Sequence, residues 1–537
     1  MATADFVFRN GRVFTGDVKD PFVEAVAISG ERVSAVGDTD EIDLLVGDGT
    51  EVIDLAGVLA TPGFTDAHVH TATSGLEQLR LNFDGCGNAA DAFKAIARYV
   101  ADHPDEQWIV GGGWSQAWFE RGCPDARSLD AVLDNRPALL TNADGHGAWA
   151  NTRALETAGI TAATVDPVDG RIERLPDGGP QGTLHEGAKH LVQRHAPEDT
   201  VEDFERGLVR GQEEMLRYGI TGWQEAAVFP EVQEAYLKAA SSGILIGDAV
   251  GALWWDRERG LEQVHDLVAR RERSAPGFRP TSVKLMLDGV AENFTASVLD
   301  PYLDGRGDIT TNRGIDFIDP DELKEIVTIL DRHDFQCHFH AVGDGAVHSA
   351  LNAIEAALEE NGASTNRHHI AHIQFVYPDD VPRFARLGAI ANAQPFWAMN
   401  DDYQIELTRP FITSERDSWQ YPFGSLLRAG AALGMGSDWN VSTANVMEEI
   451  DVAINRTGPD GGAPLGPEQA LTPVEALTAF TLGSAYINNS EEDRGSLAVG
   501  KLADVVVFDR DPFISRGFSD TEVSITFVRG KAVYERR

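Results

Sequence analysis

The chain has 537 residues, 42% of them hydrophobic and 24% charged, so it can bury several cores as a soluble globular protein. Its formal net charge is −40 and only eight residues are lysine. With no basic patch to neutralise phosphates, that balance disfavours a nucleic-acid partner.

No run approaches the roughly 20 apolar residues of a membrane span. The opening MATADFVFRNGRVF lacks the basic region and apolar core of a secretory signal, so we expect a cytoplasmic protein with no membrane partner. The three cysteines, Cys86, Cys123 and Cys337, are scattered and odd in number, which fits a reducing compartment. Cys337 beside His338 reads as a buried thiol rather than a ligand. The acidic residues are spread along the chain, and such a lysine-poor surface resembles that of salt-accumulating halophilic proteins. Its self-repulsion would be screened in molar salt, where the Debye length is about 3 Å.

In chain order, the first segments, FVFRNGRVFTGD, EAVAISGERVSAVGD and TEVIDLAGVLATPG, alternate apolar and polar residues about turns and read as short antiparallel strands. The closing GSLAVGKLADVVVFDRDP and VSITFVRGKAVYE share that style. We therefore expect residues 1–62 and 490–537 to build one small β-sandwich, with residues 63–489 inserted between its halves. That insert alternates apolar runs with helical stretches such as PDELKEIVTILDRH and AVHSALNAIEAALEE.

Eight candidate strands follow: GFTDAHVH, GITGWQEAA, GILIGDAVGAL, SVKLMLDG, QCHFHAV, HHIAHIQF, AIANAQPF and AALGMGSDW. The fold class is α/β, a (β/α)8 TIM-like barrel. The gap between the first and second strands is too long for one helix, so an inserted subdomain is expected at about 74–200. There is no fixed repeat and no low-complexity tract.

In FTDAHVHTAT, Asp66, His68 and His70 fall at i, i+2 and i+4 and share one face of a strand. Two imidazoles aimed at one point suit a divalent metal. Other polar residues recur toward strand ends: Lys284 in the fourth, His340 in the fifth, His372 in the sixth, Asp438 at the eighth. In such a barrel the carboxyl ends of the strands form the active mouth. His340 competes with His338 and is preferred as nearer the strand end. His372 competes with His368 and His369, which read as part of the turn leading into the strand. Asp438 could instead cap a helix. Lys284 cannot bind a cation as an ammonium; it becomes a ligand only if CO2 converts it to a carbamate, and otherwise reads as a buried ion-paired lysine.

These motifs resemble the amidohydrolase superfamily, whose first strand reads PGF(V/I)D(S/A)H(V/C)H against PGFTDAHVH here. The likeness is closer to the branch of N-substituted formamide deformylase-like metal-dependent hydrolases (amidohydrolase family 3). Its patterns DGHSAWVN, PTGVLxE, VKLFxDGSLGSRTA, HAIGDxAV, HxIEHxQ and GSDWPV match DGHGAWAN, PQGTLHE, VKLMLDGVAENFTA, HAVGDGAV, HHIAHIQ and GSDWNV. The resemblance implies metal binding by His68, His70, Lys284, His340, His372 and Asp438, with Lys284 carboxylated. It also implies one or two divalent ions, with Zn²⁺ expected.

The expected activity is hydrolysis of a non-peptide amide or cyclic amide by a metal-activated water, with Asp438 as general base and then acid. Ester, carbamate or peptidase-like hydrolysis is the alternative within the fold, and a non-catalytic binding protein the alternative outside it. Asp66 is expected to orient a histidine. Trp114, His146 and Asp288 are candidate contacts for a small-molecule substrate, with Trp149 beside them. The family's GSLGSRTA has become GVAENFTA, which loses an arginine and gains Glu292. A homodimer is a family habit.

Overall fold

Parallel strands separated by helices carry the middle of the chain in the computed structural model, which describes every residue except 1, 2, 18, 516 and 537. We name them β1 (Phe64–Val69), β2 (Ile220–Val228), β3 (Asp248–Trp254), β4 (Phe278–Met286), β5 (Gln336–Ala341), β6 (His369–His372), β7 (Ile390–Ala393) and β8 (Leu433–Met435). They lie side by side in chain order as one nearly closed eight-stranded barrel. β1, β2 and β5 are buried along their whole length, as parallel strands must be when helices cover them outside and side chains fill them inside. The helix Pro320–Arg332 shows how that cover forms. Asp319 caps it by accepting from the Asp321 and Glu322 N–H groups, and Leu323, Ile326, Val327 and Leu330 turn one apolar stripe inward.

No ladder pairs β8 with β1. Instead the turn after β8 closes the ring: the Asp438 N–H donates to the His68 carbonyl at 2.7 Å and the His70 N–H to the Trp439 carbonyl at 3.2 Å. β8 stops at Met435 and β1 at Val69, so Asp438 and His70 sit on the turns beyond their strands rather than on the strands themselves.

The barrel interior is polar and layered. Alternation aims Gln336, His338 and His340 of β5 inward at rising depth. At the floor, Gln336 accepts from the Ser282 hydroxyl at 2.6 Å and from Gln224 at 3.2 Å. Above it the buried rings of His338 and His369 lie 4.2 Å apart. His369 is thus the first residue of β6 and part of the barrel filling, not of the turn before it, because β6 begins one residue earlier than its apolar run suggests. His368 is buried too, and its Nε2 meets Asp331 Oδ1 at 3.1 Å.

Two further sheets flank the barrel's floor. One has four strands drawn from residues 6–54; the other has six and joins Arg12–Phe14, Phe22–Val23 and Leu59–Pro62 to Val505–Phe508, Val523–Val528 and Lys531–Glu535. Phe8, Val26, Ile28, Val505 and Phe527 pack between them. The strands are not all antiparallel: Phe6–Arg9 runs parallel to Glu51–Asp54, and Arg12–Phe14 parallel to Leu59–Pro62. Alternation reports which face is buried but not direction, and here crossovers rather than hairpins join the parallel partners. Leu59–Pro62 passes through Gly63 into β1; a Cβ on Gly63 would lie 2.3 Å from the Thr221 hydroxyl, so only glycine fits. Buried Arg494 ties this junction to the barrel through Asp504 Oδ2 at 3.4 Å and the Thr221 carbonyl at 3.1 Å.

Between β1 and β2 the chain forms the helix Thr71–Gln78, a six-stranded sheet spanning Leu81 to Glu186, and the helix Val201–Arg217. Trp114 and Trp149 are fully buried in the core of that unit, rings 6.2 Å apart. They hold the subdomain together and do not roof a pocket. Trp114 spends its indole N–H on the Leu140 carbonyl at 2.8 Å. Gly111 and Gly112 before Trp114 allow close strand contact: a Cβ on Gly111 would lie 2.0 Å from the Leu81 carbonyl oxygen, and one on Gly112 2.8 Å from that of Thr141.

Candidate metal centre

At the barrel mouth the six residues singled out in the sequence form one contiguous cluster. His68 Nε2 lies 3.4 Å from Asp438 Oδ1 and 3.4 Å from Lys284 Nζ. His70 Nε2 approaches the same Asp438 oxygen at 3.3 Å, and His372 Nδ1 lies 3.9 Å from the other. The His372 ring is 4.7 Å from that of His68 and 4.4 Å from that of His340.

His68, His372 and Asp438 each offer one donor atom, all within 4.8 Å of one another. Both ring nitrogens of His372 and Oδ1 of Asp438 are buried without a hydrogen-bond partner. Such groups lose water with no recompense unless something else satisfies them, and a divalent cation does so. Protonation agrees. Burial drives His372 well below its usual range, and burial with the nearby Lys284 charge brings His68 down to about 3, leaving neutral imidazoles that can ligate. For Asp438, burial is outweighed by His68 and His70, so the carboxyl is held well below the usual range and stays ionised. His372 and Asp438 have φ of 74° and 52°, left-handed conformations that hold about 1–3 kcal/mol of strain each.

Lys284 is 2% exposed, and burial lowers its pKa to about 7 against the pull of Asp438. A sizeable share is therefore free amine at neutral pH, the form that adds CO2.

Several supports were not legible in the sequence. His338, passed over as a ligand, shares a hydrogen bond between its Nε2 and His68 Nδ1 at 2.8 Å, which leaves His68 Nε2 facing the cluster. Asp288 is fully buried behind His340 rather than open to substrate. It accepts from the N–H groups of Ser297, Val342 and Gly343 and meets His340 Nδ1 at 3.1 Å. Asp66 reaches no imidazole; it accepts from the backbone N–H of His68 at 3.0 Å and the Ser437 hydroxyl at 2.6 Å, fastening β1 to the turn that carries Asp438.

His146 faces the cluster from the subdomain, its ring 5.2 Å from that of His340. Its Nδ1 meets Glu186 Oε2 at 2.8 Å, while Glu186 Oε1 accepts from the Thr295 hydroxyl at 2.7 Å. Burial opposes charge on both, yet the pairing wins: His146 is raised and Glu186 falls to about 2. Glu186 ends PQGTLHE, a match that pointed to the strand without revealing this partner. Beside the cluster lies a cavity of about 190 Å³. One wall is Trp397, stacked on His372 with centroids 5.1 Å apart. Cys123, Glu173 and His185 also gather within 4.8 Å elsewhere, but Arg171 occupies Glu173 at 2.8 Å.

A nearly closed parallel barrel whose mouth gathers neutral histidines about an ionised aspartate defines a metal-dependent hydrolase. The amidohydrolase family model matches residues 51–534, and the chain belongs to that family. It is 30% identical to Protein LONG AFTER FAR-RED 3 of Arabidopsis thaliana over 99% of this chain and 92% of that one. It is 27% identical to N-substituted formamide deformylase of Arthrobacter pascens over 99% and 98% respectively. The fold superposes on an uncharacterized metal-dependent hydrolase from Pyrococcus horikoshii OT3 with TM-score 0.73 and 24% identity, covering 95% of this chain and 98% of the other.

Proposed function

We propose that this hydrolase cleaves a non-peptide amide or cyclic amide. The observation that carries the reading is the buried, unpartnered donor set of His372 and Asp438 beside His68. His68, His70, His340, His372 and Asp438 would hold one or two divalent ions, and imidazole with carboxylate and no thiolate suits Zn²⁺. An ion held there supplies Lewis acidity and lowers the pKa of water toward ~7.

Asp438, kept ionised by its histidines, accepts one proton from the attacking water as the new C–O bond forms. It then delivers that proton to the leaving nitrogen as the C–N bond breaks. His146, whose charged form is favoured by its pairing with Glu186, donates toward the carbonyl oxygen as negative charge develops there. His338 and Asp288 each occupy Nδ1 of a histidine and fix its orientation. The free amine of Lys284 would add CO2 with loss of a proton, and the carbamate so formed, one negative charge shared by two oxygens, would join the histidines and Asp438 in holding the ions. The formamide deformylase relative supports an amide over an ester as the scissile group.

The test is metal analysis of the purified protein together with a screen of formamides, acyl amides and lactams in high salt. Bound metal and turnover that disappear together on chelation and return with Zn²⁺ are expected. Full turnover by metal-stripped protein would end the reading.

A further inference from the structure

The cavity beside the metal centre is lined by acceptors. Asp144, Glu292, Asp401 and Gln404 face it, and among the described residues no lysine or arginine lines it. Gln404 is 3% exposed and its amide oxygen is buried without a hydrogen-bond partner, so the cavity holds a built acceptor awaiting a donor. Glu292 Oε1 accepts from the Thr408 hydroxyl at 2.8 Å, which holds its carboxylate against the cavity. Burial pushes Glu292 up to about 7, and a cation beside it would relieve that desolvation. The remaining walls include Phe396, Trp397, Tyr403 and Tyr421, whose ring faces attract cations. The sequence carries the same sign: in GVAENFTA, Phe294 stands where the family pattern has its arginine, with Glu292 two residues before it.

We propose that this cavity selects substrates bearing an ammonium-type cation on an apolar body, with Glu292 as the counter-ion and Gln404 accepting one of its N–H groups. The proposal rests on reading the neighbouring cluster as the centre that hydrolyses a C–N bond. It adds the half of the substrate that is not cleaved.

Binding can be measured apart from turnover. Benzylammonium, benzyl alcohol and toluenesulfonate are titrated calorimetrically into the metal-loaded protein at pH 7.5 in 0.15 M salt. Benzylammonium is expected to bind about tenfold or more tighter than benzyl alcohol, toluenesulfonate weakest of the three, and Glu292→Gln to erase the cation's advantage while retaining benzyl alcohol. Equal affinities, or an advantage that survives both Glu292→Gln and Gln404→Leu, would overturn the proposal. Glu292-dependent binding without hydrolysis of any amide would leave the specificity standing and remove the C–N reading. Amide hydrolysis that favours anionic over cationic acyl groups would do the reverse.

Discussion

Asp438 and His68 are joined twice: the Asp438 N–H donates to the His68 carbonyl at 2.7 Å, and the Asp438 carboxylate stands 3.4 Å from the His68 imidazole. The closure of the barrel and the candidate metal centre are therefore one piece of structure. Gly436 sits at the junction, where an added Cβ would lie 2.4 Å from the His68 nitrogen. Gly436→Ala is expected to destabilise the fold by about 1–3 kcal/mol and to weaken metal retention at the same time. Denaturant unfolding and metal analysis on one sample check this; lost stability with unchanged metal affinity would separate the two roles.

Lys284 gives the sharpest test of the centre's composition. Lys284→Ala and Lys284→Arg should each lower bound metal by about half if a carbamate bridges two ions, and should abolish a carbamate signal in ¹³C NMR under labelled CO2. Unchanged metal content in both variants would return Lys284 to a structural role.

Glu186 favours the charged form of His146, since its carboxylate is the main influence raising that imidazole against burial. In Glu186→Gln the His146 pKa drops. Because the charged imidazole is the donor, the alkaline limb of the pH–rate profile should move to lower pH. At pH 8, kcat/KM should fall about 10²–10³-fold. A uniform loss of rate with unshifted limbs would argue against a protonated His146.

The elevated carboxyl of Glu292 also predicts a stability trend. Its folded pKa of about 7 lies above the reference value of 4.5, so the folded state holds its proton longer than the unfolded state. Its contribution to stability therefore falls as pH rises from about 4.5 through about 7. Glu292→Gln cannot ionise and should gain on wild type by about 1–2 kcal/mol at pH 8, after allowance for partial exposure. The gain should shrink at pH 5.5, as read by urea unfolding at the two pH values.

A net charge of −40 predicts that Tm rises with added KCl, steeply while the Debye length shrinks from about 10 Å at 0.1 M to about 3 Å at 1 M. Scanning calorimetry across that range checks the screening argument. A flat response would show that the acidic residues are spaced too widely to repel.

What the sequence disclosed depended on local spacing. His68 and His70 were legible because period-two alternation and a motif both mark them, and the eight strand segments because apolar runs alternate with helical ones. The choice between His338 and His340 was harder. Both project inward from β5, and only depth in the barrel separates a residue facing the metal cluster from one that steadies His68, on a strand 270 positions away. Asp288 and Trp114, candidate substrate contacts in the sequence, are both fully buried, and local sequence conceals this for a related reason. A polar or aromatic residue near a glycine-rich turn looks the same in one dimension whether it meets solvent or a buried partner. Of the partners of Asp288, Ser297 lies nine residues on in the same connection after β4, but residues 342–343 belong to the turn after β5, 54 and 55 positions away, which no short window of sequence brings together.

The strand Leu59–Pro62 carries one more consequence. It feeds directly into β1, yet its antiparallel partner is Val505–Phe508, with Ala60 opposite Val507. During synthesis the ribosome releases that partner only after the entire barrel has emerged. Until then the edge beside β1 keeps its amide and carbonyl groups unpaired, open to a strand from another nascent chain. Truncation ahead of residue 505 would make that exposure permanent, so aggregation on shortening the C-terminus should track loss of this one strand rather than damage to the catalytic mouth.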